Sequence, residues 1–155
     1  FEVFPTSKYD SLKFRTFKRV IGKYMFDQAK PILDKLFLEN IGEEEKWGEK
    51  LYLSDNDLKK MKDANMAIGG HGAEHRWMTS ISGIEKEEET KKSAERVLRF
   101  EDSFVFGYPY GDFDESLFPI LKKHNFIAAF TCKENIDHDN FFTIGRFDAN
   151  SPGLW

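Results

Sequence analysis

The chain has 155 residues, of which 40% are hydrophobic and 15% aromatic, and a formal net charge of -4. That composition supports one packed core and predicts a single domain over residues 1–155. No run approaches the roughly 18–20 apolar residues of a membrane span, and the mild acidity argues against a phosphate-backbone partner, so membrane-spanning and nucleic-acid-binding readings are set aside.

Phe1-Glu2-Val3-Phe4-Pro5 reads as the end of a strand, with no initiator Met and no signal-peptide pattern. The expectation is a domain truncated at its first strand, which leaves the compartment open. Thr6 to Lys23 has no clean period and reads as a long loop with some helix. Pro31 suits the first turn of a helix, and Ile32, Leu33, Leu36 and Phe37 follow at helical spacing. Asn40-Ile41-Gly42 supplies a stop, and Gly42 to Glu49 reads as a charged loop.

Ser54-Asp55-Asn56-Asp57 carries the pattern of a helix cap, with Leu58 and Met61 on the inner face. Met66-Ala67-Ile68-Gly69 reads as a short buried strand. Ser82-Gly83-Ile84-Glu85 resembles a capping box for a helix to about Arg99, whose second half turns Ala94, Val97 and Leu98 inward. Ser103 to Phe106 is a further strand. Asp112-Phe113-Asp114-Glu115 caps a helix with Leu117, Ile120 and Leu121 inward, Phe126 to Phe130 is an apolar strand, and Phe141 to Phe147 is the last. Strands alternating with helices predict an α/β fold with a mostly parallel sheet covered by helices. About five strands are too few for eight-fold closure, so an incomplete or distorted (β/α) barrel is expected, with functional groups at the C-terminal strand ends.

Two strand ends carry chemistry. In Gly69-Gly70-His71-Gly72-Ala73-Glu74-His75, two histidines four residues apart can face one metal ion from a tight loop; the plain alternative is two solvent-facing loop histidines. In Phe106-Gly107-Tyr108-Pro109-Tyr110-Gly111-Asp112, a sharp turn can aim backbone N–H groups outward and hold two tyrosine rings at the mouth of the sheet. The plain alternative there is a strand-to-helix turn with Asp112 as its N-cap. The single Cys132 excludes an internal disulfide.

Together these motifs resemble the polysaccharide deacetylase family. Ala67 to His75 is similar to the family's I-G-S-H-[S/T]-x-x-H, and Phe106 to Gly111 resembles a chitooligosaccharide deacetylase-like branch with Y-P-Y-G in place of R-x-P-[F/Y]-G. Phe130-Thr131 and Ile144-Gly145-Arg146-Phe147-Asp148 resemble that branch's closing strands, and Phe1 to Ser7 more weakly resembles the strand after its Asp motif. The resemblance implies a metal-dependent hydrolase acting on carbon–nitrogen bonds other than peptide bonds, which removes acetyl groups from acetylated oligo- or polysaccharide. It implies His71 and His75 as ligands of a divalent ion, with zinc expected, and Tyr110 as the backbone oxyanion donor. Arg146 is a further catalytic candidate, and Tyr108, Pro109 and Trp77 are substrate-binding candidates, with Trp47 and Trp155 as other groove or core aromatics.

The chain departs from the family pattern in several places. It has no counterpart of the Asp-Asp motif, and Gly72, Arg76 and Gly107 replace the usual Ser/Thr, Pro and Arg. Neither His124, expected exposed near a helix end, nor His138, in an acidic loop, matches the family's general-acid segment. Asp148 could stand in as an acidic ligand, though a turn role is simpler. Two other readings follow. The first is a catalytically inactive deacetylase-like carbohydrate-binding domain. The second is an H-x-x-E-H metallopeptidase with Glu74 as base, which requires a continuous helix through a glycine-rich segment.

Overall fold

The structure is a computed structural model that describes residues 10–134 and 140–147. The strand expected at Phe1–Pro5 and the residues His138, Asp148 and Trp155 lie outside the described residues. The chain divides into two compact units between Gly48 and Glu49.

In the first unit, helix α1 (Leu12–Arg19) starts where the Ser11 hydroxyl accepts the Phe14 N–H, and a π-helical turn, Val20–Tyr24, leads to α2 (Phe26–Asn40). Helix α2 begins earlier than the sequence predicts, so Pro31 sits inside it rather than in its first turn. The expected charged loop from Gly42 is a helix instead, α3 (Glu44–Leu51). Glu44 and Glu45 lie at its positive N-terminal end and Lys50 in its last turn, an arrangement that complements the helix dipole.

The second unit holds the core. Helix α4 (Asp55–Asp63) opens with a capping box in which Ser54 and Asp57 exchange hydrogen bonds, and α5 (Gly83–Val97) opens with another between Ser82 and Glu85. Leu98 ends α5 as its cap and is exposed rather than inward. Strand β1 (Phe104–Gly107) pairs in parallel with β2 (Phe126–Phe130), and α6 (Leu117–Lys123) makes the crossover. Single parallel bridges extend this sheet, Gly70 to Phe106 on one side and Ile144 to Phe130 on the other.

The protein is therefore a mostly helical α/β chain with a small parallel sheet. No barrel forms among the described residues: the expected strand at Met66–Gly69 is replaced by a single bridge at Gly70, and that at Phe141–Phe147 reduces to a single bridge at Ile144. Gly70 still donates to the Val105 carbonyl and accepts from Gly107, at 2.9 and 2.8 Å, which fixes the order Gly70, β1, β2, Ile144 across the sheet.

The core is aromatic. Phe126 meets the rings of Phe104 and Phe106 edge-on at 4.6 and 5.0 Å, and Tyr108 stacks on Phe113 at 4.6 Å. Each such pair adds about 0.5–1.5 kcal/mol beyond the apolar area it buries. Met78, Ala94, Val97, Leu117, Leu121 and Ala129 complete the packing. No described helix is long and apolar enough to cross a membrane.

Candidate active site

His71, Tyr108, Thr131 and Gly145 each follow one of the four parallel segments, so the candidate residues gather at the C-terminal ends of the sheet. His71 comes first. Its backbone N–H donates to Ser93 Oγ on α5 at 3.2 Å, and its ring Nδ1 lies 2.6 Å from the Gly107 carbonyl. A carbonyl can only accept, so Nδ1 carries the proton and the Nε2 lone pair faces outward. This is the arrangement by which an outer hydrogen bond orients a metal-binding imidazole.

Gly107, which stands where the family pattern has Arg, approaches this ring closely. A Cβ there would stand 3.2 Å from His71 Nδ1, a tight contact that the ring would relieve by a shift of a few tenths of an ångström.

The segment from His71 to His75 is an irregular loop, and this excludes the continuous helix that the metallopeptidase reading requires. Gly72 and His75 both take left-handed backbone conformations, with φ of 76° and 56°. This folds the loop back until His75 Nε2 is 3.1 Å from His71 Nε2. Two Zn–N bonds of about 2.0–2.1 Å at a tetrahedral angle would span about 3.3 Å, so the pair fits two corners of such an ion. Burial, and next the adjacent His71, lower the His75 pKa below the ordinary histidine value, which favours the neutral, ligating form. No cluster of three or more His, Cys, Asp or Glu suited to a metal occurs among the described residues. The fit is thus to two ligands.

The turn after β1 separates its two tyrosines. Tyr108 is 0% exposed; its hydroxyl donates to the Phe142 carbonyl at 3.0 Å, and burial pushes its pKa well up. Pro109 is also buried. Neither forms an accessible wall, which corrects the expectation of two tyrosine rings at the mouth. Tyr110 is 49% exposed and takes φ 58°, ψ 7°, a left-handed conformation. Its ring stacks on Trp77 at 4.2 Å and 7°, and meets His75 edge-on at 4.6 Å.

A clamp missed at the sequence level holds this row. Thr79 donates its N–H and hydroxyl to the Asp112 carboxylate, at 2.7 and 2.8 Å, tying the segment after Trp77 to the turn. Asp112 is thereby not the helix cap it was predicted to be; Ser116 holds the N-cap position of α6, and the Asp114 carboxylate accepts the Ser116 N–H.

Arg146 donates through Nε to the Thr131 carbonyl at 2.9 Å, and its terminal nitrogen lies 3.4 Å from Cys132 Sγ. Cys132 packs against Gly111, where an added Cβ would come within 2.8 Å of it. Arg146 is thus linked to the turn through one residue. Of the other candidates, Trp47 donates to the Ile41 carbonyl, and His124, half-buried rather than exposed, is bound to Glu87 at 2.5 Å.

Helix α5 contributes two groups that sequence reasoning passed over. Besides Ser93, Glu89 turns inward and accepts the N–H groups of Ala73 and Glu74, each at 3.0 Å. The signal was the helix phase. The Ser82 cap sets an inward face of Lys86, Glu89, Thr90, Ser93, Ala94 and Val97, so Glu89 falls on the buried stripe although it stands in a run of charges.

No curated protein and no solved structure matches the chain. Residues 20–129 match the family described as Polysaccharide deacetylase, a span that holds His71, His75 and the Tyr108–Gly111 turn and ends before Arg146. That span is more than two thirds of the sequence: the chain belongs to the polysaccharide deacetylase family.

Proposed function

We propose that this chain is the metal-dependent deacetylase domain its family membership suggests, removing acetyl groups from an acetylated oligo- or polysaccharide. The reading places it in the Tyr-Pro-Tyr-Gly, chitooligosaccharide deacetylase-like branch. It takes residues 1–155 as one deacetylase-like domain and the parallel run from Gly70 to Ile144 as part of an incomplete (β/α) barrel. The observation that carries it is the convergence of His71 Nε2 and His75 Nε2 at 3.1 Å, with the His71 tautomer set by Gly107.

His71 and His75 would hold a divalent ion, zinc by the chemistry of the imidazole donors. When bound, such an ion polarises an acetyl carbonyl and acidifies water near neutral pH. The chain's own groups supply the rest. The bonds described for the turn use the N–H groups of Gly111 and Asp112, and Tyr110 presents its own N–H as the donor to a developing oxyanion. The Trp77–Tyr110 stack gives an apolar wall beside His75 for a sugar ring. Arg146 contributes a positive charge near the turn. Tyr108 and Pro109 act from within, by shaping the turn that aims Tyr110.

One alternative is a deacetylase-like carbohydrate-binding domain without turnover, in which the Trp77–Tyr110 stack meets the sugar. The two are separated by measuring acetate release from N-acetylglucosamine oligomers by the full-length protein with zinc, and by its His75→Ala variant. Zinc-dependent release that the variant loses supports the hydrolase. Saturable oligosaccharide binding with no release, unaffected by zinc, overturns it in favour of the binding domain.

A further inference from the structure

We infer that Glu89 is a positioning residue, whose buried carboxylate holds the His71–His75 loop in the shape that brings the two imidazoles together. The inference rests on the metal-site reading above.

The geometry is specific. Glu89 is 7% exposed, and one of its oxygens, Oε2, accepts both the Ala73 and Glu74 N–H groups. One turn further along α5, Ser93 Oγ accepts the His71 N–H. Residues four apart lie on one helix face, so α5 grips the loop at its start and its middle from a single face. The loop needs such a grip. Its Gly72 and His75 backbones are left-handed, it has no ladder of its own, and its N–H groups would otherwise be left to water. A carboxylate binding two N–H groups makes charge-assisted bonds, stronger than those a neutral acceptor offers. Oε2 would lie 3.2 Å from a Cβ on Gly72, which places the negative charge against the loop between the two histidines. A buried anion in that position also offsets the charge that two neutral imidazoles leave uncompensated when they hold a divalent cation.

The test compares wild-type chain with Glu89→Gln and Glu89→Ala, and with Glu88→Gln as an exposed neighbour on the same helix. Amide hydrogen exchange at Ala73 and Glu74 reads the grip, zinc titration calorimetry reads its consequence, and thermal melting confirms that each variant is folded. Glu89→Gln keeps the volume and one acceptor, so it carries the test if Glu89→Ala fails to fold. The expected result is exchange at both amides at least tenfold faster, and zinc affinity about tenfold weaker, in Glu89→Gln, with Glu88→Gln unchanged; outer-shell partners of metal ligands generally act on this scale. Unchanged exchange, or zinc affinity equal to wild type, in a folded Glu89→Gln overturns the inference. A wild-type chain that binds no zinc, while Glu89→Gln still releases the two amides, overturns the metal reading and leaves the grip on the loop standing.

Discussion

Tyr110 offers a perturbation whose sign is unusual. Its backbone is left-handed at φ 58°, ψ 7°, which costs an L-residue about 1–2 kcal/mol. Its ring recovers part of that by stacking on Trp77, worth about 0.5–1.5 kcal/mol, and by its edge contact with His75. Tyr110→Ala and Tyr110→Gly both remove the ring, but only glycine also removes the backbone cost. Against that relief stands the greater freedom of glycine in the unfolded chain, about 0.4–1 kcal/mol. On mid-range values glycine is therefore ahead of alanine by about 0.8 kcal/mol, the reverse of their usual order. For a chain of this size that is a difference of about 2 °C in melting temperature, measured side by side by calorimetry or circular dichroism, with urea midpoints as a second readout. Equal stability, or alanine above glycine, would refute the left-handed turn and with it the aim of the Tyr110 N–H.

Other expectations follow from the same contacts. Gly111→Ala combines φ 68° with a Cβ only 2.8 Å from Cys132, so a loss of about 2 kcal/mol or more in urea denaturation is expected, and a neutral effect would contradict the packing of that turn. Lys62 first, and the Ile68 N–H with it, holds the Glu101 carboxyl below the ordinary glutamate value in the folded chain. Glu101 accordingly adds stability that is present above about pH 4.5 and is lost as pH falls through the lower folded value. Glu101→Gln should therefore flatten the acid limb of a stability–pH curve, and an unchanged limb would count against the contact.

The sequence made some of this legible because the signals were local. Ser54 with Asp57, and Ser82 with Glu85, are four-residue patterns whose reciprocal bonds depend on nothing distant, and both caps formed as read. Strand β2 stood out as an unbroken apolar run, and the two motifs lay at strand ends whose geometry follows from a parallel sheet. What failed to show depends on long-range packing. Tyr108 and Tyr110 are two residues apart in one turn, yet one is in the core and the other faces out, because Pro109 and the left-handed Tyr110 reverse the chain between them. Asp112 had the composition of a cap, but its acceptors are taken by Thr79, 33 residues away. Glu89 sits in a charged run that reads as a solvated face, and only the loop packed on it supplies the N–H groups that make burial tolerable. Met66–Gly69 has strand composition, but the single bridge to β1 falls on Gly70, so pairing partners rather than composition set where the strand forms.

On the proposed reading His71 and His75 bind one metal ion together. X-ray absorption at the zinc edge, with calorimetric titration of wild type, His71→Ala and His75→Ala, tests it most directly. The expected result is weak binding at one equivalent, two imidazole nitrogens at about 2.0–2.1 Å, and loss of binding in either variant. Zinc bound without imidazole scattering, or held equally well by both variants, would contradict it.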